Sequence, residues 1–77
     1  MEINEQFRVY NAATLGQALK HFREEAGLTQ GELAARLGMR QPYLSKIEAG
    51  KATPRTNLLI QILREVGARI VVVKADW

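Results

Sequence analysis

Apolar residues recur at three- and four-residue intervals in four successive blocks of this chain, and a glycine follows each block. In the first, Leu15, Ala18, Leu19, Phe22 and Ala26 make one helical face and predict a helix over 15–25. Thr14 stands where an N-cap is needed, Gln17 follows at capping-box spacing, and Gly27 is the stop. Lys20, Arg23 and Glu24 are assigned to the polar side of that helix. In the second block, Thr29 and Glu32 form a Thr-x-x-Glu capping box, Leu33, Ala34 and Leu37 face inward, and Gly38 ends the helix. The third helix is expected over 42–49. Proline is favoured in a first helical turn and the residue before it avoids helical angles, so Gln41 is read as the cap. Leu44 and Ile47 are its inward residues, and Gly50 closes it. Thr53-Pro54 signals a fourth helix over 56–66, with a stripe of Leu59, Ile62, Leu63 and Val66, flanked by Leu58 and Ile60 and ended by Gly67.

After Gly67 the period changes. Arg69-Ile70-Val71-Val72-Val73-Lys74 is β-branched and reads as a strand. A single strand leaves its backbone donors and acceptors without partners. The N-terminal segment, where Gln6-Phe7-Arg8-Val9-Tyr10 alternates polar and apolar residues, is one candidate partner. The same strand of a second subunit is the other. No repeat or interdomain linker divides the sequence, so 1–77 is read as one domain, with a helical core over 14–67 and a dimerisation strand over 68–75.

Three short helices with glycine stops, the second and third joined by the tight Gly38-Met39-Arg40-Gln41 turn, have the layout of a helix-turn-helix. In that arrangement one helix braces across the phosphate backbone and the next enters the major groove. The third helix has the required two-sided chemistry. Leu44 and Ile47 point inward; Pro42, Ser45, Lys46 and Ala49 point away, with Arg40 and Gln41 at the leading end. Arginine and lysine can bond guanine O6 and N7, and glutamine can bond adenine N6 and N7. Pro42 or Tyr43 suits a thymine methyl, although Tyr43 also flanks Ile47 and has a place against the core. Thr29 and Gln30, at the start of the second helix, can donate to a phosphate; Lys51 and Arg55 can hold the next ones.

Charge sharpens this picture. The net charge of +3 says little by itself. Between Arg36 and Arg55, however, five cations (Arg36, Arg40, Lys46, Lys51, Arg55) stand against the single acid Glu48, which points to a polyanionic partner. With 77 residues the domain is near the lower size for a self-sufficient core, and oligomerisation is a common remedy. The absence of cysteine removes disulfides and thiolate metal sites. The start Met1-Glu2-Ile3-Asn4-Glu5 lacks the order of a signal peptide, and no apolar run is long enough to span a bilayer. A cytoplasmic, nucleoid-associated protein without membrane contact is expected.

Leu28-Thr29-Gln30-Gly31-Glu32-Leu33-Ala34, Leu37-Gly38, Leu44-Ser45-Lys46-Ile47-Glu48-Ala49-Gly50-Lys51 and then Pro54 resemble the phage-repressor-type helix-turn-helix family, the Xre class. The resemblance runs over about 15–67. It implies a phosphate contact at Gln30, base or nearby backbone contacts at Arg40, Gln41, Pro42, Tyr43 and Lys46, and a structural role for Glu48. Pro42 departs from the pattern, since a hydrogen-bonding or small residue is common there. The ends, Tyr10-Asn11-Ala12-Ala13-Thr14-Leu15-Gly16 and Leu63-Arg64-Glu65-Val66-Gly67-Ala68-Arg69-Ile70-Val71-Val72-Val73, resemble HipB-type antitoxins. That likeness implies a strand after the fourth helix, paired across a dimer through Ile70, Val71, Val72 and Val73. It also implies repression of the protein's own operon and binding of a kinase-like toxin of the HipA type.

The fold expected is therefore mainly α: a four-to-five-helix, lambda-repressor-like helix-turn-helix domain with a C-terminal β-strand pairing across a dimer. The expected base or groove contacts are Arg40, Gln41, Pro42, Tyr43, Ser45 and Lys46, and the expected phosphate contacts are Thr29, Gln30, Lys51 and Arg55. The partners are double-stranded DNA carrying a palindromic operator, a second copy of the chain, and a HipA-like toxin. A stand-alone regulator without a toxin is the competing reading, and a pure protein-interaction module is a remote third. No nucleophile, base and oxyanion set and no phosphate loop is present, so neither an enzyme nor a cofactor is expected. His21, the only histidine, is read as a surface residue outside any metal cluster, and Glu24-Glu25 as a solvated pair. Gly16 and Gly31 are read as sites of close helix packing, and Trp77 as packing back on the dimer sheet or disordered.

Overall fold

The computed structural model describes residues 5–76. The readings made for Met1, Glu2, Ile3, Asn4 and Trp77 lie outside them. Four helices follow in order: α1 (Ala12–Glu25), α2 (Gln30–Leu37), α3 (Gln41–Glu48) and α4 (Thr56–Glu65). Their apolar faces meet in one core of Leu19, Leu28, Leu33, Ala34, Leu44, Ile47, Ile62, Leu63 and Val66. α3 lies between α1 and α2, and α4 packs on α2. This order leaves α3 one outward side, because its inward residues, Leu44 and Ile47, are wholly buried.

Helix ends follow local hydrogen bonding, and two differ from the sequence reading. α1 starts three residues early. Asn11, not Thr14, is its N-cap: the Asn11 side chain accepts from the Thr14 N–H at 2.9 Å. The Thr14 hydroxyl in turn accepts from the N–H groups of Asn11 at 3.1 Å and Tyr10 at 2.8 Å. Thr14 thus plays the part usually taken by a glutamate, satisfying donors that the helix start leaves without intrahelical partners. α3 is capped by Arg40, with no side-chain bond to the cap, so Gln41 is the first helical residue instead of the cap, and Ala49 lies just past the end. Proline is tolerated there because an N–H in the first turn has no acceptor within the helix anyway. α2 follows its pattern: Thr29 Oγ1 accepts from the Glu32 N–H at 3.1 Å, and the Thr29 N–H donates to Glu32 Oε1 at 2.9 Å. α4 ends at Glu65, with Val66 as its C-cap.

Gly16 lies where α1 crosses α3. A Cβ there would stand 2.5 Å from the carbonyl oxygens of both Ile47 and Glu48, so only glycine lets the two backbones meet. The matching reading for Gly31 is wrong: a Cβ there would meet only Thr29 Oγ1, at 3.9 Å. Arg23, assigned from sequence to the polar side of α1, is buried. His21 is half-buried instead of standing on the surface. Its ring contacts those of Phe7 and Phe22, with centroids 4.8 and 5.3 Å away, and it is paired with Glu5 and Glu25. One ligand atom from each of Glu5, His21 and Glu25 lies within 4.8 Å of the others, so a lone histidine does not preclude a cluster with metal-ligand chemistry.

The segment after α4 carries no strand, and none occurs among the described residues. The N-terminal segment, one of its two possible partners, does not pair with it. Ile70, Val71, Val72 and Val73 are 50%, 64%, 92% and 74% exposed. A strand is defined by its ladder, and this isolated chain supplies no second edge.

Candidate nucleic-acid interface

The turn between α2 and α3 is built from backbone geometry. Gly38 takes a left-handed conformation (φ 65°), and its N–H reaches the carbonyls of Ala34 and Ala35. The Met39 N–H then donates to the Ala34 carbonyl at 3.0 Å. Two successive donors returning to the end of α2 force the chain to reverse, and α3 starts within three residues. Met39 is packed against the core, which fixes the turn from inside.

α3 presents Arg40, Gln41, Pro42, Tyr43 and Lys46 to solvent, with Ser45 half-buried. Tyr43, for which the sequence leaves a core position open, is 37% exposed and lies outside the core cluster. Lys46 occupies the last turn, where the helix dipole favours a cation. Lys51 and Arg55 are exposed beyond α3, and the Lys51 N–H returns to the Lys46 carbonyl at 2.8 Å. The basic stripe read from sequence divides: Arg36 lies 3.7 Å from Glu65, between α2 and α4, while Arg40, Lys46, Lys51 and Arg55 accompany α3.

At the start of α2 the two expected phosphate ligands are already engaged. The Thr29 N–H and hydroxyl oxygen are used by the Glu32 capping box, leaving the hydroxyl proton to donate outward. These bonds from Thr29, backbone first and side chain second, hold the Glu32 carboxyl below its ordinary 4.5. Gln30 reaches both ways: its Nε2 donates to Glu48 Oε1 at 3.0 Å, and its Oε1 accepts from Gln41 Nε2 at 3.1 Å. Behind it, Arg23 grips Glu48 with two bonds, Nε to Oε2 at 2.7 Å and Nη2 to Oε1 at 3.0 Å, while Nη1 donates to the Leu28 carbonyl at 2.7 Å. The hydrogen bond to Glu48 is the first cause of the raised Arg23 pKa, which keeps the guanidinium charged.

Arg23 is the residue that sequence reasoning missed. Its signal was present: Gly16, Leu19 and Arg23 follow at intervals of three and four, which puts Arg23 on the buried stripe. Leu44 and Glu48, four apart, do the same on α3. The face that emerges has a cation-rich outer rim, an exposed first turn of α3, and a buried ion pair behind it.

The model of a helix-turn-helix domain family matches residues 14–73. The chain belongs to this family. The regulator SinR of Bacillus subtilis is 41% identical over 54 residues, a match covering 70% of this chain and 46% of SinR. Across such curated relatives the chain spans between 32% and 74% of their length. Among solved structures, a complex of a HipB variant with an O2 20mer superposes with a TM-score of 0.79 at 25% identity, covering 94% of this chain and all of that one. A HipA–HipB–O2–O3 complex gives 0.76 at 25% identity, over 90% and 97% of the two chains. These relatives are helix-turn-helix DNA-binding regulators and not enzymes. The four-helix arrangement is theirs also, and no helix among the described residues is long and apolar enough to cross a membrane.

Proposed function

We propose that this chain is a sequence-specific transcriptional repressor that binds a palindromic operator as a two-fold dimer, and that it is the antitoxin of a type II toxin–antitoxin pair. The observation that carries the DNA-reading part is the split character of α3. Leu44 and Ile47 are fully buried while Arg40, Gln41, Tyr43 and Lys46 stand outward on the same two turns. In this reading Arg40, Gln41 and Lys46 meet base edges, Pro42 and Tyr43 meet thymine methyls, and the small Ser45 permits close approach. Thr29, Gln30, Lys51 and Arg55 hold phosphates on either side and set the register.

The dimer part is supported by the exposed run Ile70, Val71, Val72 and Val73, whose β-branched side chains and unpaired backbone suit pairing with the same run of a second copy. Two copies of α3 would then lie about one turn of DNA apart. The antitoxin part is supported by the likeness to HipB over nearly the whole chain, and the partner proposed is a HipA-like kinase toxin. The likeness to SinR favours the alternative, a regulator acting without a toxin.

Two experiments test these parts separately. For DNA reading, duplexes are selected from a randomised library by the full chain and the selected site is titrated. Arg40→Ala and Lys46→Ala are each expected to lose about 1–3 kcal/mol of specific binding while unselected DNA is bound nearly as before. Unchanged specificity in both variants refutes their assignment. For the antitoxin part, the chain is co-expressed with the product of the adjacent gene. A stable complex that still binds the selected duplex supports it, and a lone dimer with equal DNA affinity leaves the stand-alone regulator.

A further inference from the structure

The hydrogen bonds behind α3 form a directed chain: Arg23 to Glu48, Gln30 to Glu48, and Gln41 to Gln30. Its direction is dictated by chemistry. A carboxylate bonded to a guanidinium through both oxygens can only accept, so Gln30 must turn its NH2 group toward Glu48. The Gln30 carbonyl oxygen is then the atom facing Gln41, and it too can only accept. Gln41 must therefore point its NH2 inward, spending one N–H on Gln30. Its carbonyl oxygen and its second N–H remain side by side on the outer edge of the amide. An isolated glutamine on a helix surface presents either edge, since turning the amide over changes little in water. Here the ion pair is buried, with Arg23 and Glu48 each 7% exposed, and no part of it can reorient without leaving a charge unmatched in the core.

We propose that Glu48, anchored by Arg23, is a positioning residue for base recognition: through Gln30 it fixes which edge of the Gln41 amide meets the DNA. The edge it selects, an acceptor beside a donor, matches the N6 donor and N7 acceptor of adenine. Glu48 touches no nucleic acid in this arrangement; it acts across two side chains, from the end of the same helix that carries Gln41. The inference rests on the reading of Gln41 as a base contact, and the experiment separates the two.

The probe is the duplex selected by the wild-type chain, together with its single base-pair substitutions. The readout is the ratio of affinities for the substituted and selected duplexes. Gln41→Ala first locates the base pair whose ratio depends on Gln41. At that pair Glu48→Gln, which can present either a donor or an acceptor to Gln30, is expected to reduce the ratio about fivefold or more, the low end of a good bidentate contact. The salt dependence of binding should not move, because no phosphate contact is removed. Gln30→Ala, which leaves the Arg23–Glu48 pair whole, should reduce the same ratio in addition to lowering affinity uniformly. Adding Glu48→Gln to Gln30→Ala should reduce the ratio no further. If Glu48→Gln keeps the wild-type ratio where Gln41→Ala loses it, the proposal is overturned and the base contact stands. If Gln41→Ala changes no ratio, the base-contact reading itself falls, and the proposal with it. Should Glu48→Gln fail to fold, Gln30→Ala decides: a purely uniform loss of affinity overturns the positioning role.

Discussion

Two glycines inside helices show how far a residue's context outweighs its type. Gly16 and Gly31 look alike in the sequence, yet a Cβ at Gly16 would stand 2.5 Å from two backbone oxygens of α3, and one at Gly31 would meet a single side-chain atom at 3.9 Å. Alanine at Gly16 gains helix propensity but forces α1 off α3, and backbone cannot yield as a side-chain tip can. Gly16→Ala is expected to destabilise by about 1–3 kcal/mol, as overpacking does. Gly31→Ala is expected to stabilise by roughly half a kcal/mol, reduced from the full mid-helix gain by its place in the first turn. Urea denaturation of the two variants checks both signs, and a stable Gly16→Ala would refute the close crossing. Sequence periodicity leads to the right conclusion for Gly16 and the wrong one for Gly31, because spacing shows which face a residue occupies and not what lies opposite. The same limit hides the Arg23–Glu48 pair. Charge argues for solvent, position argues for the core, and only the carboxylate from α3 makes the buried position tolerable.

At the scale of elements, local chemistry suffices wherever the capping partners lie within the element itself. α2 is legible from both ends: the Thr29–Glu32 box and the left-handed Gly38 are three-residue and one-residue signals. The start of α1 is misplaced by three residues because Asn11-x-x-Thr14 and Thr14-x-x-Gln17 both have capping spacing, and the choice depends on which donors each side chain reaches. The α2 box is also an acid-sensitive device. The Thr29 bonds lower the Glu32 carboxyl below 4.5, so protons bind it more weakly in the folded state than in the unfolded chain. Its stabilisation is thus complete at pH well above 4.5 and disappears as pH falls through the lowered folded value. Glu32→Gln, which keeps a bond to the Thr29 N–H without the charge, should flatten the pH dependence of unfolding between neutral pH and about pH 3. Amide exchange should show the extra opening in the first turn of α2. Equal acid sensitivity in the two proteins would place the titrating group elsewhere.

For the whole molecule, the outward faces matter more than the core. Nine buried side chains close the four-helix unit, and the residues with most unburied apolar surface lie beyond it, at Val71, Val72 and Val73. Composition reads this run as a strand because its residue types suit a ladder; one chain offers no second edge, so the ladder requires another molecule. Successive residues of a strand face opposite sides, so pairing would place Val71 and Val73 on one face of a ribbon and Ile70 and Val72 on the other. Val72→Pro tests this without touching the helical core, since Val72 is 92% exposed and lies seven residues past the end of α4. Proline removes one ladder donor and is excluded from paired interior positions. The variant is expected to keep its helical circular dichroism and to sediment as a monomer where the unaltered chain sediments as a dimer. Losing the dimer also removes the second half-site from each binding event, so affinity for a palindromic duplex should fall by about a hundredfold or more, while affinity for an isolated half-site stays close to that of the unaltered chain. A Val72→Pro protein that remains dimeric would move the interface elsewhere, with the exposed Ile60 on α4 as the next surface to probe.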